Sequence, residues 1–329
     1  MFPLAPPATG VRTPWEELPA HVRGELESVL GAPVVDAVTQ RGGFSPGVAA
    51  RVRLGDGRRA FVKAVSAEAN PGSPELHRAE ARNSAALPDH VPAPRLLASY
   101  DDGLWVALVF EDIEGRQPHV PWRADEFGLV LDAVTQLSYA LTPALTPAPI
   151  DVRPVVDTER ESFRGWERLI EAEAEADGAA GARLDPWVRR NLHALAELAA
   201  PWTGAAAGDT LVHADLRADN MLITAEGRVV FVDWPHAVRA APWTDLLFML
   251  PCVRAQGGPD PEDVFTAHPL GRAADPRGVT ATLAAFASYL VRGSLKPAPP
   301  GLPTLRAFQA AQGAAAVAWL RTRLGPALP

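Results

Sequence analysis

The segment from Leu211 to Asp233, LVHADLRADNMLITAEGRVVFVD, holds the side chains with the clearest chemical signal. Two runs rich in Val, Ile and Leu flank a turn that ends in Gly227, which predicts a β-hairpin. The hairpin brings Asn220, before its first strand, beside Asp233, after its second strand. Asp215 supplies a free carboxylate nearby. Magnesium needs only one or two carboxylate-type ligands when phosphates and water supply the others, so the segment predicts phosphoryl transfer to a hydroxyl group.

Length and composition are those of an ordinary globular protein. The 329 residues predict about two domains, with 47% hydrophobic and 21% charged residues. The net charge of −8 and the lack of a basic cluster argue against nucleic acid as a partner. Cys252 is the single cysteine, which favours the cytoplasm. We recognise no signal peptide or membrane-spanning run, so we expect no membrane partner, and nothing indicates the oligomeric state.

The first third of the chain predicts a small, mostly antiparallel sheet. Five strand patterns with one intervening helix occur, at Asp36–Gln40, Val48–Leu54, Arg59–Val65, Arg95–Ser99 and Leu104–Phe110. The loop between the first two strands contains Gly42, Gly43, Ser45 and Gly47, whose backbone N–H groups could approach phosphates. A plain hairpin turn is the alternative, because the loop matches neither G-x-x-x-x-G-K-[ST] nor a clean G-x-G-x-x-G. Pro46 also removes one N–H donor from the loop.

A buried ion pair is predicted from one lysine and one glutamate. Lys63 and Lys296 are the only lysines, and arginine supplies the other basic residues. A lysine kept in an interior strand suggests that a compact ammonium is needed there. The helix that begins at Ser73 places Leu76, Glu80, Asn83 and Leu87 on the stripe that should face the sheet. A carboxylate in that position is costly without a cation, so we expect Glu80 to meet Lys63 rather than to lie on the surface.

The pattern becomes helical after Glu111–Gly115. Helices are predicted at Phe127–Leu141, Glu159–Ala176, Pro186–Ala199, Trp243–Val253, Asp263–His268, Val279–Val291 and Pro303–Leu324, besides one from Thr13 to Leu30 near the start. We therefore expect a nucleotide-binding lobe at 1–110, a hinge at 111–115, and a larger catalytic and substrate-binding lobe at 116–329.

These elements resemble the aminoglycoside phosphotransferase and choline kinase-like family. The resemblance runs from about Gln40 to Leu250, and its most specific part is His213-x-Asp215-x4-Asn220 followed by Val232-Asp233-Trp234. It implies an α+β, two-lobed protein kinase-like fold, with a small antiparallel-sheet N-terminal lobe and a larger, mainly helical C-terminal lobe. It also implies transfer of the ATP γ-phosphate to a hydroxyl of a small molecule, such as an aminoglycoside or another antibiotic.

The resemblance also implies roles for individual residues. Asp215 would accept or orient the proton of the acceptor hydroxyl. Asn220 and Asp233 would hold Mg²⁺. Arg217 would stabilise charge on the transferred group, although a surface arginine is an equal interpretation.

The nucleotide contacts implied by the resemblance lie mainly in the N-terminal lobe. Lys63, steadied by Glu80, would contact the α- and β-phosphates, beneath the glycine-rich loop. Backbone groups of Glu111 and Ile113 would hold the adenine edge of ATP.

The loop around Asp215 departs from the family pattern. Ala214 stands where a glycine is common, and Arg217-Ala218-Asp219 replaces a frequent His-Pro-Gly. Asp219 has no assigned role. We expect His213 to be a buried residue that shapes the loop, since Asp215 already holds the base position, and Asp245 to cap the backbone of the loop.

Other functions stay open at this point. A metal hydrolase could use His213, Asp215, Asp233 and His236 as ligands, but would not explain Lys63 or the glycine-rich loop. A catalytically silent nucleotide-binding module is a second alternative. A protein kinase is a third, but no Asp-Phe-Gly or Ala-Pro-Glu segment is present. Amino alcohols and sugars remain possible acceptors, selected by segments 150–200 and 255–329.

Overall fold

The computed structural model describes residues 4–143, 152–175 and 183–325. Its strands are β1 (Val34–Thr39), β2 (Val48–Leu54), β3 (Arg59–Ser66), β4 (Leu96–Asp101), β5 (Trp105–Glu111), β6 (Thr210–Val212), β7 (Met221–Ile223), β8 (Val229–Phe231) and β9 (Val238–Ala240). The first five form one antiparallel sheet in the order β1-β2-β3-β5-β4. The other four form two antiparallel ribbons, β6 with β9 and β7 with β8.

Helices dominate the chain after the sheet. They are α1 (Ala20–Leu30), α2 (Ser73–Ala85), α3 (Ala124–Ala140), α4 (Val155–Thr158), α5 (Gly165–Glu175), α6 (Pro186–Arg190), α7 (Leu192–Ala199), α8 (Trp202–Ala205), α9 (Thr244–Ala255), α10 (Pro261–Ala267), α11 (Pro269–Arg272), α12 (Pro276–Ser294) and α13 (Leu305–Leu324). Three of them begin with an Asp-Pro pair, in which the aspartate accepts a hydrogen bond from the first turn. An antiparallel sheet followed by a mainly helical part is confirmed.

The long helix predicted from Thr13 is wrong in its first part. A short 3-10 helix covers Trp15–Glu17, and Leu18 is extended, with ψ of 142°. Pro19 follows, and a proline disfavours the α conformation of the residue before it. The α-helix therefore starts only at Ala20, after the proline.

The two largest hydrophobic cores lie in the N-terminal and the C-terminal part of the chain. In the N-terminal core, Trp15 and Leu26 pack against Val52 and Val62 of the sheet. Helix α2 packs against β3 and β5. The C-terminal core is larger and is built from α3, α5, α7, α9, α12 and α13 around the two ribbons. Within the three described ranges, no helix is both long enough and apolar enough to cross a membrane.

Candidate active site

The β7–β8 hairpin brings the predicted oxygen donors together. Met221 pairs with Phe231, and the N–H of Val232 donates to the carbonyl of Asn220 at 3.0 Å. Asn220 ends a 3-10 turn before β7, and Asp233 follows directly after Val232. The two residues therefore lie side by side at the open end of the hairpin, as the sequence predicts.

The loop before the hairpin is held by a buried histidine and a buried aspartate. The fully buried His213 donates from Nε2 to the carbonyl of Val232 at 2.9 Å, and its Nδ1 accepts from the N–H of Asp215 at 3.3 Å. The carboxylate of Asp245 accepts from the N–H groups of His213 at 2.9 Å and Ala214 at 2.8 Å. Burial lowers the pKa of His213 and raises that of Asp245. Both ring nitrogens of His213 are thus engaged, which leaves neither for a metal.

Two residues of this site adopt a backbone conformation that favours glycine. Ala214 has φ of 64° and Asp233 has φ of 71°, and no other non-glycine residue in the described ranges has a positive φ. Ala214 occupies the position where the resembling family commonly has glycine. The two hydrogen bonds to Asp245 hold the loop around it in this conformation.

Lys63 is shared by two carboxylates. Its Nζ lies 2.6 Å from Oε1 of Glu80, on α2, and 2.7 Å from Oδ1 of Asp233. Burial alone would lower the pKa of Lys63, but the two carboxylates raise it. Burial raises the pKa of Glu80, while Lys63 outweighs burial at Asp233 and lowers its pKa. The predicted ion pair is present, and it joins the sheet to the hairpin.

The stripe predicted for α2 is correct at Glu80 and Asn83, which are buried, and wrong at Leu76, which is 42% exposed, while His77 is buried in its place. Asn83 donates to the carbonyl of Trp234 at 2.8 Å, so the buried face of α2 also holds the chain beyond Asp233.

Arg217 lies between two carboxylates instead of on the surface. Its Nη1 is 2.5 Å from Oδ2 of Asp215, while its Nε and Nη2 donate to Asp219 at 3.0 and 2.9 Å. Only 12% of the Arg217 side chain is exposed. Its guanidinium also lies 5.3 Å from the ring centroid of Phe44, in the glycine-rich loop. The structure thus gives Asp219 a contact that the sequence could not assign: it orients Arg217.

A cavity of about 450 Å³, here called the sheet-side cavity, lies between the sheet and the β7–β8 hairpin. Its wall includes most of the predicted nucleotide- and metal-binding residues: Gly42, Gly43, Ser45, Lys63, Glu80, Glu111, Ile113, Asn220 and Asp233. Gly47 is not part of the wall. Its N–H donates to the carbonyl of Val11, and a Cβ there would lie 2.4 Å from the carbonyl oxygen of Ala64.

The segment of residues 4–13 supports the glycine-rich loop from outside the sheet. Gly43 donates its N–H to the carbonyl of Ala8 at 3.1 Å. The guanidinium of Arg12 donates to the carbonyls of Gly42 and Ser45. Arg12 also lines the sheet-side cavity, and burial lowers its pKa despite the opposing charges of Asp233 and Asp219. Sequence reasoning missed Arg12, which stands in a segment with no helical or strand periodicity.

A second cavity of about 400 Å³, here called the helix-side cavity, lies among α2, α12, α13 and the loop around Asp215. Asp215 and Arg217 line this cavity and not the sheet-side one. The two cavities share four wall residues, which are Phe44, Ser45, Glu80 and Asp233. The predicted base therefore faces one cavity, the predicted metal ligand Asn220 faces the other, and Asp233 lies at their boundary.

The donors that face the sheet-side cavity suit a magnesium ion. The amide nitrogen of Asn220 donates to the backbone carbonyl of Asp215 at 2.9 Å and to its carboxylate at 3.1 Å. Among the described residues, the amide oxygen of Asn220 and Oδ2 of Asp233 have no hydrogen-bond partner. Hard oxygen donors of this kind are those that Mg²⁺ prefers. No group of three or more His, Cys, Asp or Glu in the described part of the chain could hold a metal, which removes the support for a His213-based hydrolase centre.

Comparison with known proteins agrees with this geometry. The family model of the phosphotransferase enzyme family (APH) matches residues 42–287. No curated protein matches the chain.

Three solved structures share the fold. Aminoglycoside phosphotransferase APH(4)-Ia, in complex with ADP and hygromycin B, is 17% identical, with a TM-score of 0.59 and coverage of 92% of this chain and 99% of that one. Choline kinase LicA from Streptococcus pneumoniae is 14% identical, with a TM-score of 0.59 and coverage of 92% and 98%. An aminoglycoside-3'-phosphotransferase of type VIII is 24% identical, with a TM-score of 0.53 and coverage of 82% and 100%.

These likenesses show the protein kinase-like fold, so the α+β, two-lobed fold class expected from the sequence is confirmed. The family match spans well over half of the chain. The chain belongs to the phosphotransferase enzyme family.

Proposed function

We propose that the protein transfers the γ-phosphate of ATP to a hydroxyl group of a small molecule. The observation that carries this proposal is the meeting of two cavities at Asp233, with Asp215 in the wall of only one of them. Phosphoryl transfer needs a nucleotide and an acceptor on opposite sides of the transferred group. The sheet-side cavity takes the nucleotide, and the helix-side cavity takes the acceptor.

Asp215 orients the acceptor hydroxyl and accepts its proton. A carboxylate oxygen has two lone pairs, so Asp215 can accept the substrate O–H while Arg217 and Asn220 hold it in place. Arg217 supplies positive charge at the point where the cavities meet. General-base assistance of this kind contributes about 10²–10⁴-fold to the rate.

The groups on the nucleotide side bind and orient the phosphates. Lys63, held by Glu80, contacts the α- and β-phosphates, while backbone groups of Glu111 and Ile113 hold the adenine. The glycine-rich loop covers the phosphates through its inner face, which Gly42, Gly43 and Ser45 line. Asn220 and Asp233 hold Mg²⁺, which would neutralise charge on the phosphates when bound. The division into a nucleotide lobe at 1–110, a hinge at 111–115 and a catalytic lobe at 116–329 belongs to this proposal.

Replacing the base tests the proposal. Asp215→Ala should lower kcat by at least about 10²-fold and leave the Kd for ATP within a few-fold, because Asp215 does not line the sheet-side cavity. Turnover is measured as ADP formation over a panel of hydroxylated antibiotics and metabolites, and ATP binding by calorimetry.

The control for this experiment is Glu161→Gln, on the surface beside the helix-side cavity, which should change neither quantity. Loss of ATP binding in the Asp215 variant, with the fold intact by circular dichroism, would contradict the assigned role.

The proposal allows two classes of acceptor. The structural neighbours include proteins crystallised with hygromycin B or named as choline kinases. An aminoglycoside or another antibiotic is one class of acceptor, and a hydroxylated metabolite such as an amino alcohol or sugar is the other. A catalytically silent module, the alternative function, predicts no ADP formation with any acceptor.

A further inference from the structure

One arginine in the wall of the sheet-side cavity comes from a part of the chain that the family model does not match. Arg12 lines this cavity, whereas the match to the phosphotransferase family begins at residue 42. Arg12 belongs to the segment of residues 4–13, which contacts the glycine-rich loop. The family pattern therefore assigns no role to this side chain.

Backbone hydrogen bonds fix the position of Arg12 on both sides. The residue before it, Val11, accepts from the N–H of Gly47 at 3.0 Å and donates to the carbonyl of Gly301 at 2.9 Å. The residue after it, Thr13, donates to the carbonyl of Gly47 at 3.0 Å. The backbone thus places the Arg12 side chain over the loop before its guanidinium makes any contact, which is the kind of support that a binding residue needs.

The guanidinium of Arg12 has more donors than the loop uses. An arginine side chain carries five N–H groups. The two terminal nitrogens donate to the carbonyls of Ser45 and Gly42, one each, and Nε is buried without a hydrogen-bond partner. Each terminal nitrogen therefore keeps one N–H that has no partner among the described residues. A guanidinium with such groups can bind two oxygens of one phosphate.

The charge of Arg12 is not neutralised by an ion pair. Asp233 and Asp219 act on it electrostatically. Asp233, however, pairs with Lys63, and Asp219 pairs with Arg217, and no carboxylate of the described residues forms an ion pair with Arg12. A half-buried cation without a partner is costly. An anionic group of a ligand in the cavity would remove this cost.

Arg12 lies where the two cavities meet. It bonds to Ser45, which is in the wall of both cavities, and it is within electrostatic range of Asp233, which is also in both walls. The phosphate that is transferred must lie at this boundary, because the acceptor approaches it from the helix-side cavity. Arg12 does not line the helix-side cavity, so it would reach this phosphate from the nucleotide side.

We propose that Arg12 binds the terminal phosphate of the nucleotide. This proposal rests on the proposed function, because it takes the sheet-side cavity as the nucleotide site. In this arrangement, Lys63 contacts the α- and β-phosphates and Arg12 contacts the γ-phosphate, which ADP lacks. Arg12 therefore favours ATP over ADP. A side chain that only supported the loop would not do so, because the loop covers the phosphates of both nucleotides.

The test compares a nucleotide that has a γ-phosphate with one that does not. Calorimetry with Mg²⁺ present gives the Kd of AMP-PNP, an analogue of ATP that resists transfer, and the Kd of ADP. We expect Arg12→Gln to weaken AMP-PNP at least about 5-fold more than it weakens ADP, as the loss of a hydrogen bond between charged groups implies. Arg12→Lys keeps the charge without the planar fork and should recover part of the preference for AMP-PNP.

Two control variants separate phosphate binding from support of the segment and from long-range charge. Thr9→Val removes the hydroxyl contact with Thr304, at 2.9 Å, and leaves the guanidinium of Arg12 in place. Arg41→Gln removes an equal charge from an exposed position in the wall of the same cavity. Each should change the ratio of the two Kd values less than about 2-fold, because exposed charges are screened by solvent and salt.

Each result decides between the possible roles of Arg12. Equal weakening of AMP-PNP and ADP by Arg12→Gln, in a variant that is folded by circular dichroism, would overturn the proposal and leave the phosphotransferase in place. An equal change of the ratio by Arg41→Gln, or no recovery by Arg12→Lys, would also overturn it. If the unaltered protein bound neither nucleotide, the sheet-side cavity would not be a nucleotide site, and the proposed function would fail with it.

Discussion

At the scale of single residues, the contact between Arg217 and Asp219 accounts for the presence of both. Both stand where the family pattern commonly differs, and they form a pair through two parallel hydrogen bonds of 3.0 and 2.9 Å. A bidentate pair fixes the guanidinium plane as well as its position. The remaining nitrogen of Arg217 is thereby directed to Asp215. A family pattern shows the two substitutions separately, and only the fold shows that they form one unit.

Asp233 should decide whether nucleotide binding depends on magnesium. Its Oδ1 is bound to Lys63, its Oδ2 has no hydrogen-bond partner among the described residues, and the residue lines both cavities. We expect Asp233→Ala to abolish the gain in ATP affinity that Mg²⁺ gives to the unaltered protein. Calorimetry with and without the metal measures this gain. An unchanged magnesium effect in the variant would show that another group holds the ion.

His77 should make stability depend on pH in mild acid. It is 4% exposed, and burial together with the charge of Lys63 lowers its pKa from 6.5 to about 4. The unfolded chain therefore binds more protons than the folded chain between about pH 4 and 6.5, so stability is full above pH 6.5 and falls as the pH decreases. The loss between pH 7.5 and pH 5 should be on the order of 2 kcal/mol.

Urea unfolding at the two pH values measures this loss. His77→Gln should reduce the difference between pH 7.5 and pH 5, whatever its effect on stability at either pH alone. If the variant keeps the full difference, other groups cause the acid sensitivity and His77 does not.

The predictable part of the site was the set of polar side chains whose positions follow from local sequence patterns. Lys63, Asp215, Asn220 and Asp233 were placed by strand, loop and hairpin signals alone. Arg12 was not, because its position depends on a contact between segments distant in sequence and not on any local period.

At the scale of elements, Gly47 in the glycine-rich loop and Gly57 in the β2–β3 turn show that two glycines with positive φ are not equivalent. Gly47 has φ of 89° and a Cβ there would lie 2.4 Å from the carbonyl oxygen of Ala64, in the neighbouring strand. Gly57 has φ of 88°, but nothing lies within 4 Å of its Cβ position. Gly47 is needed both for its positive φ and because a side chain would collide with β3, whereas Gly57 is needed for its positive φ only.

Alanine at these two glycines separates the two requirements. Gly57→Ala should cost about 1 kcal/mol or more in the free energy of unfolding, from the positive φ alone. Gly47→Ala should cost clearly more, and should also raise the KM for ATP because the loop must shift away from β3. Thermal unfolding and ATP kinetics of the two variants give the comparison. Equal destabilisation would mean that the contact with Ala64 relaxes freely.

Strands, helices and their faces were predicted correctly where the local sequence pattern determines them. They were predicted wrongly where contacts with residues distant in sequence determine them. The β7–β8 hairpin follows from alternating apolar residues around a glycine turn. The buried face of α2 was predicted correctly at Glu80, which turns to Lys63 of the sheet, and wrongly at Leu76, an apolar residue that lines a cavity. Apolar periodicity assumes that the buried face is apolar, and a site with a buried ion pair violates that assumption.

At the scale of the whole molecule, the five-stranded sheet and the C-terminal lobe are joined by more than the chain that follows β5. The segment of residues 4–13 binds the glycine-rich loop on one side and the C-terminal lobe on the other. Val11 donates its N–H to the carbonyl of Gly301 at 2.9 Å, and Thr9 and Thr304 are joined through their hydroxyls at 2.9 Å. In the same region, the ring centroids of Phe44 and Phe308 lie 4.9 Å apart.

Removing the side chain of Arg12, which holds the segment of residues 4–13 against the glycine-rich loop, should weaken the binding of ATP. Arg12→Gln loses the charged hydrogen bonds to Gly42 and Ser45, so we expect the KM for ATP to rise roughly 5- to 10-fold, as loss of about 1–1.5 kcal/mol implies. Amide hydrogen exchange in residues 42–47 should become faster. Arg58→Gln, which removes a guanidinium that donates to the carbonyl of Leu30 and does not line the sheet-side cavity, is the control. Unchanged exchange in the loop would show that the backbone contacts alone support it.

The segment of residues 4–13 can complete its contacts only late in biosynthesis. Thr9 leaves the ribosome 295 residues before its partner Thr304, which at about 5–20 residues per second is a delay of roughly 15–60 s. The five-stranded sheet can assemble early in that interval, and residues 8–12 can already contact the glycine-rich loop, but the anchors of the segment at Gly301 and Thr304 form only after translation has passed them. A nascent chain stalled before that point would carry a complete sheet with the segment of residues 4–13 not anchored to the helical part, and we expect proteases to cut that segment first.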